Sequence, residues 1–90
     1  MARQVPIAVL LSGGGSNLQA IIDAVQAGQI SASIAVVVSN TRDALGLTRA
    51  RDAGIEALFL NPKDYSGRAA YDKALVDALR ERRVDLVCLA

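Results

Sequence analysis

Two patterns of apolar residues alternate along the chain. Short and predominantly apolar runs, which are typical of buried strands, occupy residues 5–11, 34–39, 57–60 and 85–90. Between these runs, apolar residues recur three and four positions apart, as they do on one face of an amphipathic helix. The clearest such set is Leu18, Ile21, Ile22 and Val25. The pattern predicts the element order βαβαβαβ.

Polar residues and glycines between the runs indicate where the helices begin and end. The first helix is predicted to begin near Asn17, with Ser16 and Gln19 at the spacing of a capping box, and to end before Gly28. The other two helices are predicted over residues 43–53, followed by Gly54, and over residues 68–82. Pro62 excludes a continuation of the third strand as a central strand.

Parallel strands joined by helical crossovers form a doubly wound sheet. We therefore predict a Rossmann-like, mostly parallel, three-layer α/β fold with strand order 3-2-1-4, in which ligands bind where strands 1 and 4 diverge. The apolar run 84–90 would be a central strand at that point. We expect residues 1–90 to be the N-terminal, phosphate-binding part of a longer protein, with the sheet truncated after its fourth strand.

A glycine-rich segment joins the first strand to the first helix, and residues 12–17 read Ser-Gly-Gly-Gly-Ser-Asn. Glycines allow a ligand to approach the backbone closely. The free N–H groups and the positive end of the helix dipole favour an anion there. The segment predicts a phosphate site; the alternative is a turn with a purely structural role.

Two families of glycine loop fit poorly. A Walker A loop ends in Gly-Lys-Ser/Thr, and this loop has no lysine. A dinucleotide fingerprint matches Gly13 and Gly15, but Leu18 holds the third glycine position, and no acid follows the second strand. Because Arg42 lies there and could meet the 2′-phosphate of NADP, a nucleotide- or NADP-binding module remains an alternative.

Composition narrows the class of protein further. The hydrophobic fraction is 52% and the mean hydropathy +0.31, which favours a folded domain with buried strands. A net charge of +1 gives no reason to expect nucleic acid or a membrane surface as a partner. No histidine is present and Cys88 is the single cysteine, so no metal site is expected. We expect a cytoplasmic protein.

The glycine segment and its surroundings resemble a known family. Residues 12–21, Ser-Gly-Gly-Gly-Ser-Asn-Leu-Gln-Ala-Ile, are similar to the opening loop and helix of the phosphoribosylglycinamide formyltransferase family, the glycinamide ribonucleotide transformylases. Further matches follow at constant spacing: Ser39-Asn40, Ala44, Gly46-Leu47, Arg49-Ala50-Arg51, Ala53-Gly54-Ile55, Arg68, Tyr71-Asp72, Leu75 and residues 84–90. The resemblance covers the N-terminal part of that family.

The resemblance implies roles for individual residues. Gly15, Ser16 and Asn17, supported by Gly13 and Gly14, match positions that hold the phosphate of glycinamide ribonucleotide. Arg68 matches an arginine that binds the folate; the alternative is a surface arginine in the first turn of the third helix. The catalytic asparagine, histidine and aspartate of the family have no counterpart within residues 1–90.

The function implied by this resemblance is transfer of a formyl group from 10-formyltetrahydrofolate to the amine of glycinamide ribonucleotide, in de novo purine (IMP) biosynthesis. The whole protein would be a folate-dependent transferase without a metal. Residues 1–90 alone are expected to be inactive, and their exposed sheet edge favours either a homo-oligomer or a poorly folded chain. The alternatives are the NADP- or nucleotide-binding module and a formyltetrahydrofolate hydrolase of the same superfamily.

Overall fold

A computed structural model describes residues 4–11, 16–42 and 45–90. Its elements are β1 (Val5–Leu11), α1 (Ser16–Gln26), β2 (Ala32–Ser39), α2 (Leu45–Asp52), β3 (Ala57–Phe59), a short 3₁₀ turn (Pro62–Asp64), α3 (Arg68–Glu81) and β4 (Leu86–Leu89). The described strands form one parallel sheet in the order β3-β2-β1-β4. The predicted fold class and strand order are thus confirmed.

Strand β1 lies at the centre of the described sheet because it pairs on both sides. It runs beside β2 from Val5, opposite Ala32, to Leu11, opposite Ser39, and beside β4 from Ile7, opposite Leu86. The pairing with β2 shifts by one residue after Ile7. Strand β2 begins two residues earlier than predicted, since its pairing with β1 extends through Ala32 and Ser33.

The first face of the sheet carries most of the buried apolar surface. Alternate residues of β1 point to this face and pack against α1 and α2. Leu18 and Ile22 of α1 and Leu47 of α2 are at most 2% exposed. This cluster contains Ile7, Val9, Leu11, Leu18, Ile22, Ala32, Val37, Leu47 and Ala50.

The second face is covered by α3. Its fully buried residues, Ala8, Val36 and Val38, all belong to the sheet. Leu75 and Leu79 of α3 pack against them but stay partly accessible, and no residue of α3 is fully buried. On β4, Val87 and Leu89 lie on this face, since they pair with Ala8 and Leu10, and they are 42% and 82% exposed. The second face is therefore the less completely covered one among the described residues.

All three helices end in the same kind of turn. In α1 the N–H of Gln29 donates to the carbonyl of Ala24, in α2 Ile55 donates to Ala50, and in α3 Val84 donates to Leu79. Each is the six-residue closure of a Schellman motif, which places the residue before the donor in the left-handed region. That residue is Gly28 (φ 75°), Gly54 (φ 76°) and Arg83 (φ 54°), respectively.

The predicted boundaries of the last helix and strands are close to those observed. Helix α3 ends one residue before the predicted Arg82, and β3 ends at Phe59 instead of residue 60. The 3₁₀ turn was not predicted; the Asn61 carboxamide oxygen caps it by accepting the N–H of Lys63 at 3.0 Å, and Pro62 opens it. Within the described ranges, no helix has the length and apolar character needed to cross a bilayer.

Candidate functional site

The candidate phosphate site lies where β1 ends and α1 begins. Strand β1 ends at Leu11 and α1 starts at Ser16. The predicted loop residues Gly13, Gly14 and Gly15 lie outside the described residues, as does the Ser16 side chain on which the predicted capping box depends. Asn17 is exposed in the first helical turn, where its side chain is accessible to a ligand.

The first turn of α1 has the properties that an anion site needs. Its leading N–H groups have no partner within the helix, and the helix dipole adds a partial positive charge. The turn contains no acidic side chain to oppose a bound anion. Leu18, which is fully buried, fixes this end of the helix against the sheet. The turn is therefore rigidly anchored and electrostatically suited to a phosphate group.

A buried serine shapes the adjacent end of β2. Ser39 is 1% exposed, and its hydroxyl both accepts the N–H of Thr41 and donates to the Thr41 carbonyl, each at 3.0 Å. The Thr41 hydroxyl in turn donates to the carboxamide oxygen of Asn40 at 3.2 Å. These bonds fix the turn that presents Asn40. Ser39 was predicted as the last residue of the second strand and as a match to the family, but its turn was not predicted, although a serine directly before Asn-Thr is a common turn signal.

A cleft extends from this turn to the beginning of α3. It has a volume of about 420 Å³ and is lined by Asn40, Pro62, Gly67, Arg68, Tyr71 and Asp72. A second cavity of about 200 Å³ shares four of these residues and reaches Leu10 and Leu11 at the end of β1. The two cavities form one continuous depression across the carboxyl ends of β1 and β2, which is where ligands bind in sheets of this class.

Arg68, the predicted folate-binding residue, stands at the rim of the cleft. It is the first residue of α3, and its side chain is 93% exposed. Its Nε lies 3.7 Å from a carboxylate oxygen of Asp72, one turn later. Such an exposed pair is weak, so the guanidinium is available to an anionic ligand. The structure brings Arg68 together with Asn40 and Tyr71 in one cleft.

Tyr71 is a cleft residue that the sequence analysis gave as a match to the family without assigning it a role. Its ring meets that of Tyr65 edge to face, with centroids 5.6 Å apart. Burial, reinforced by Tyr65 and by the Asp72 carboxylate, raises the pKa of the Tyr71 phenol above its ordinary value. The phenol thus stays protonated at neutral pH and can donate a hydrogen bond into the cleft.

Two other features bear on the alternatives. The guanidinium of Arg42 lies 5.7 Å from the centre of the Phe59 ring, a cation–π distance that accounts for this arginine without a 2′-phosphate. Among the described residues, no group of three or more histidine, cysteine, aspartate or glutamate side chains is placed to hold a metal ion.

Comparison with known proteins identifies the family. Residues 5–90 match the model of the formyl transferase family. The chain is 52% identical over 85 residues to phosphoribosylglycinamide formyltransferase of Haemophilus influenzae, and 49% identical over 90 residues to trifunctional purine biosynthetic protein adenosine-3 of Drosophila melanogaster. These alignments cover 93% and 98% of the chain, respectively.

A solved structure agrees with these matches. The crystal structure of glycinamide ribonucleotide transformylase 1 from Symbiobacterium toebii superposes on the whole chain with a TM-score of 0.96 at 49% identity. The chain spans 42% of that protein, 40% of the Haemophilus influenzae relative and 7% of the Drosophila melanogaster one. The resemblance inferred from the glycine segment is thereby confirmed, and the chain belongs to the formyl transferase family.

Proposed function

We propose that the protein of which this chain forms a part transfers a formyl group from 10-formyltetrahydrofolate to the amine of glycinamide ribonucleotide. The observation that carries this proposal is the match of residues 5–90 to the family, combined with close relatives that are named as phosphoribosylglycinamide formyltransferases. The substrate amine attacks the formyl carbon, and the bond between that carbon and the folate nitrogen then breaks.

In this proposal the described residues bind and orient the substrates. The first turn of α1, with Ser16 and Asn17, holds the ribonucleotide phosphate together with Gly15, because free N–H groups and the positive end of the helix dipole attract an anion. Ser39 fixes the turn that carries Asn40, beside the same end of β1. Arg68 faces the formyl donor across the cleft, where its charge attracts the anionic groups of a folate.

Proton transfer in this reaction belongs to residues outside this chain. The chain has no histidine, the commonest general base. Among the described groups with a shifted pKa, Tyr71 lines the cleft, but its shift favours the protonated form. Residues 1–90 should therefore bind part of the substrate without transferring the formyl group.

The proposal is tested with the full-length protein by measuring formylated ribonucleotide by mass spectrometry and binding of each substrate by calorimetry. Gly15→Val should weaken ribonucleotide binding strongly and folate binding little, since a branched side chain blocks close approach of the phosphate to the backbone. Gly28→Val is the matched control: Gly28 lies at the opposite end of α1 and its left-handed conformation makes the substitution strained. Equal losses for both substrates would contradict the assignment.

A second pair of variants separates the folate site from helix stability. Arg68→Ala should weaken folate binding and leave ribonucleotide binding unchanged. Lys73→Ala is the control, because Lys73 lies on the same helix and makes an equivalent exposed pair with Asp77 at 2.8 Å. Release of formate without any formylated ribonucleotide would instead identify a hydrolase.

A further inference from the structure

Arg49 is a cation on the first face of the sheet that belongs to neither the proposed phosphate site nor the cleft. Arg49 projects from α2 toward α1 and is only partly accessible. Its Nη1 donates to the side-chain oxygen of Gln19 at 3.2 Å, across thirty positions of sequence. Gln19 is the fourth residue of α1, so the contact brings the guanidinium to the first turn of that helix.

The charge of Arg49 is poorly neutralised. No carboxylate among the described residues forms an ion pair with it, and its Nε is buried without a hydrogen-bond partner. Of the described acids on its side of the molecule, Asp23 accepts the Gln19 amide at 2.9 Å, and Asp52 lines the same groove as Arg49 without forming an ion pair with it. A partly buried, unpaired cation acts over a longer range than a solvated one.

We infer that Arg49 strengthens phosphate binding at the beginning of α1 through its charge, without touching the phosphate. The inference rests on the proposed function for its ligand. A phosphate monoester carries nearly two negative charges at neutral pH, and it would lie beside the first turn that Gln19 links to Arg49. The guanidinium and the helix dipole then attract the same group, while Gln19 holds the arginine in place.

The test uses the full-length protein and two ligand pairs: glycinamide ribonucleotide against its phosphate-free riboside, and ribose 5-phosphate against ribose. Arg49→Met should weaken binding of both phosphorylated ligands about five- to tenfold at low ionic strength, because the attraction between the guanidinium charge and the phosphate is lost. The loss should shrink at high ionic strength, and binding of the riboside should not change. Arg49→Lys, which keeps the charge, should restore most of the affinity.

Arg51→Met is the matched control, because Arg51 lies two residues away on the same helix and is exposed. It should change each of the four affinities by less than the twofold expected for Asp52→Asn, because Arg51 does not line the groove that Gln19, Arg49 and Asp52 share. Asp52→Asn provides an independent measurement at an exposed position: removing this opposing carboxylate should tighten ribose 5-phosphate binding about twofold, by the same Coulomb argument. This second variant keeps the inference testable if Arg49→Met lowers the folded fraction.

The outcomes distinguish the inference from the proposed function. Equal weakening of riboside and ribonucleotide by Arg49→Met would show a structural role and overturn the inference. An unchanged ribonucleotide affinity in an active enzyme would also overturn it and leave the proposed function intact. If Arg49→Met weakens ribose 5-phosphate binding but the wild-type protein does not bind the ribonucleotide, the inference holds and the proposed function fails.

Discussion

The two faces of the sheet differ in how completely they are packed. On the first face, α1 and α2 bury leucine and isoleucine side chains to 2% exposure or less. On the second, α3 buries no residue fully, and Leu89 of the adjoining strand β4 is 82% exposed. The end of α1 that we propose binds phosphate belongs to the well-packed face, whereas Arg68 and the cleft belong to the other. The better-packed face therefore supports the proposed anion site.

The same contrast appears at the ends of the helices. The helices of the first face close with Gly28 and Gly54, for which a positive φ carries no steric cost, whereas α3 closes with Arg83 in the same conformation. The helices of the first face therefore combine fully buried side chains with unstrained C-terminal turns. The helix of the second face has only partly buried side chains and a turn with a non-glycine residue at positive φ. Four measurements of stability and self-association test whether the two faces differ in this way.

Truncating one leucine on each face compares the packing directly. Leu18→Ala should lower the free energy of unfolding by about 3 kcal/mol or more, since Leu18 is fully buried against the first face. Leu75→Ala on α3 should cost about 1 kcal/mol, because the side chain it removes is only partly buried. Urea unfolding of both variants measures the difference, and equal losses would show that the two faces are packed alike.

Exchanging the residues in the helix-ending turns should shift stability in opposite directions. Gly54→Ala should lower the free energy of unfolding by about 1 kcal/mol through backbone strain alone, since an added Cβ would meet no atom within 4 Å. Arg83→Gly should raise it by up to about 1 kcal/mol, by relieving the positive φ. Thermal unfolding checks both; a loss of stability in Arg83→Gly would mean that the arginine side chain outweighs the strain.

An ion pair ties α3 to the sheet and makes a pH-dependent contribution. Arg82 donates from Nε and Nη2 to the two carboxylate oxygens of Glu56, at 2.9 and 2.6 Å. The hydrogen bond from Arg82 lowers the pKa of Glu56 below its ordinary value of 4.5. The stabilisation is therefore fully present above that value and is lost as the pH falls through the lowered pKa of the folded state.

Glu56→Gln should consequently cost less than about 1 kcal/mol at pH 7, because the carboxylate is half exposed and screened by solvent. Denaturant unfolding of both proteins at several pH values provides the measurement. The difference between them should close as the pH falls through the lowered pKa of Glu56. A difference that persists in acid would show that the side chain contributes through packing instead of charge.

The smallest effect on stability is expected at the exposed strand. Leu89→Lys should change the free energy of unfolding of the 90-residue chain by less than about 0.5 kcal/mol, since Leu89 contributes little to the core. It should nevertheless reduce self-association, because lysine on an edge strand opposes pairing with another chain. Light scattering at several concentrations measures this; a wild-type chain that stays monomeric throughout would contradict the prediction of an oligomer.

The fold was predictable because apolar periodicity and parallel topology depend on many residues at once. The alternation of short runs and amphipathic segments predicted the four strands and three helices that the structure describes, and the glycine segment predicted which edge of the sheet would bind a ligand. The boundaries were less predictable. Strand β2 starts at Ala32 because backbone pairing with β1 continues past Ser33, and a polar residue that pairs through its backbone leaves no apolar signal.

The candidate site was predictable only in part. The residues of the glycine segment could be inferred from local chemistry, since a helix N-terminus after glycines favours an anion. The cleft could not, because it brings together Asn40 and Tyr71, which are thirty-one positions apart and carry no shared motif. Arg49 was noted only as a match to the family, because an arginine in a helix gives no sequence signal of the neighbour it reaches.

The pairing of Ile7 with Leu86 also has a consequence for how the protein is made. At about 5–20 residues per second, a ribosome takes about 4–16 s to synthesise the nearly eighty residues that separate these partners. During part of that interval β1 and β2 are already synthesised, but one edge of β1 is unpaired because β4 has not yet left the ribosome. Pro6 lies near the start of this unpaired edge and has no backbone N–H to donate to another chain. It therefore shortens the part of β1 with which a wrong strand could pair.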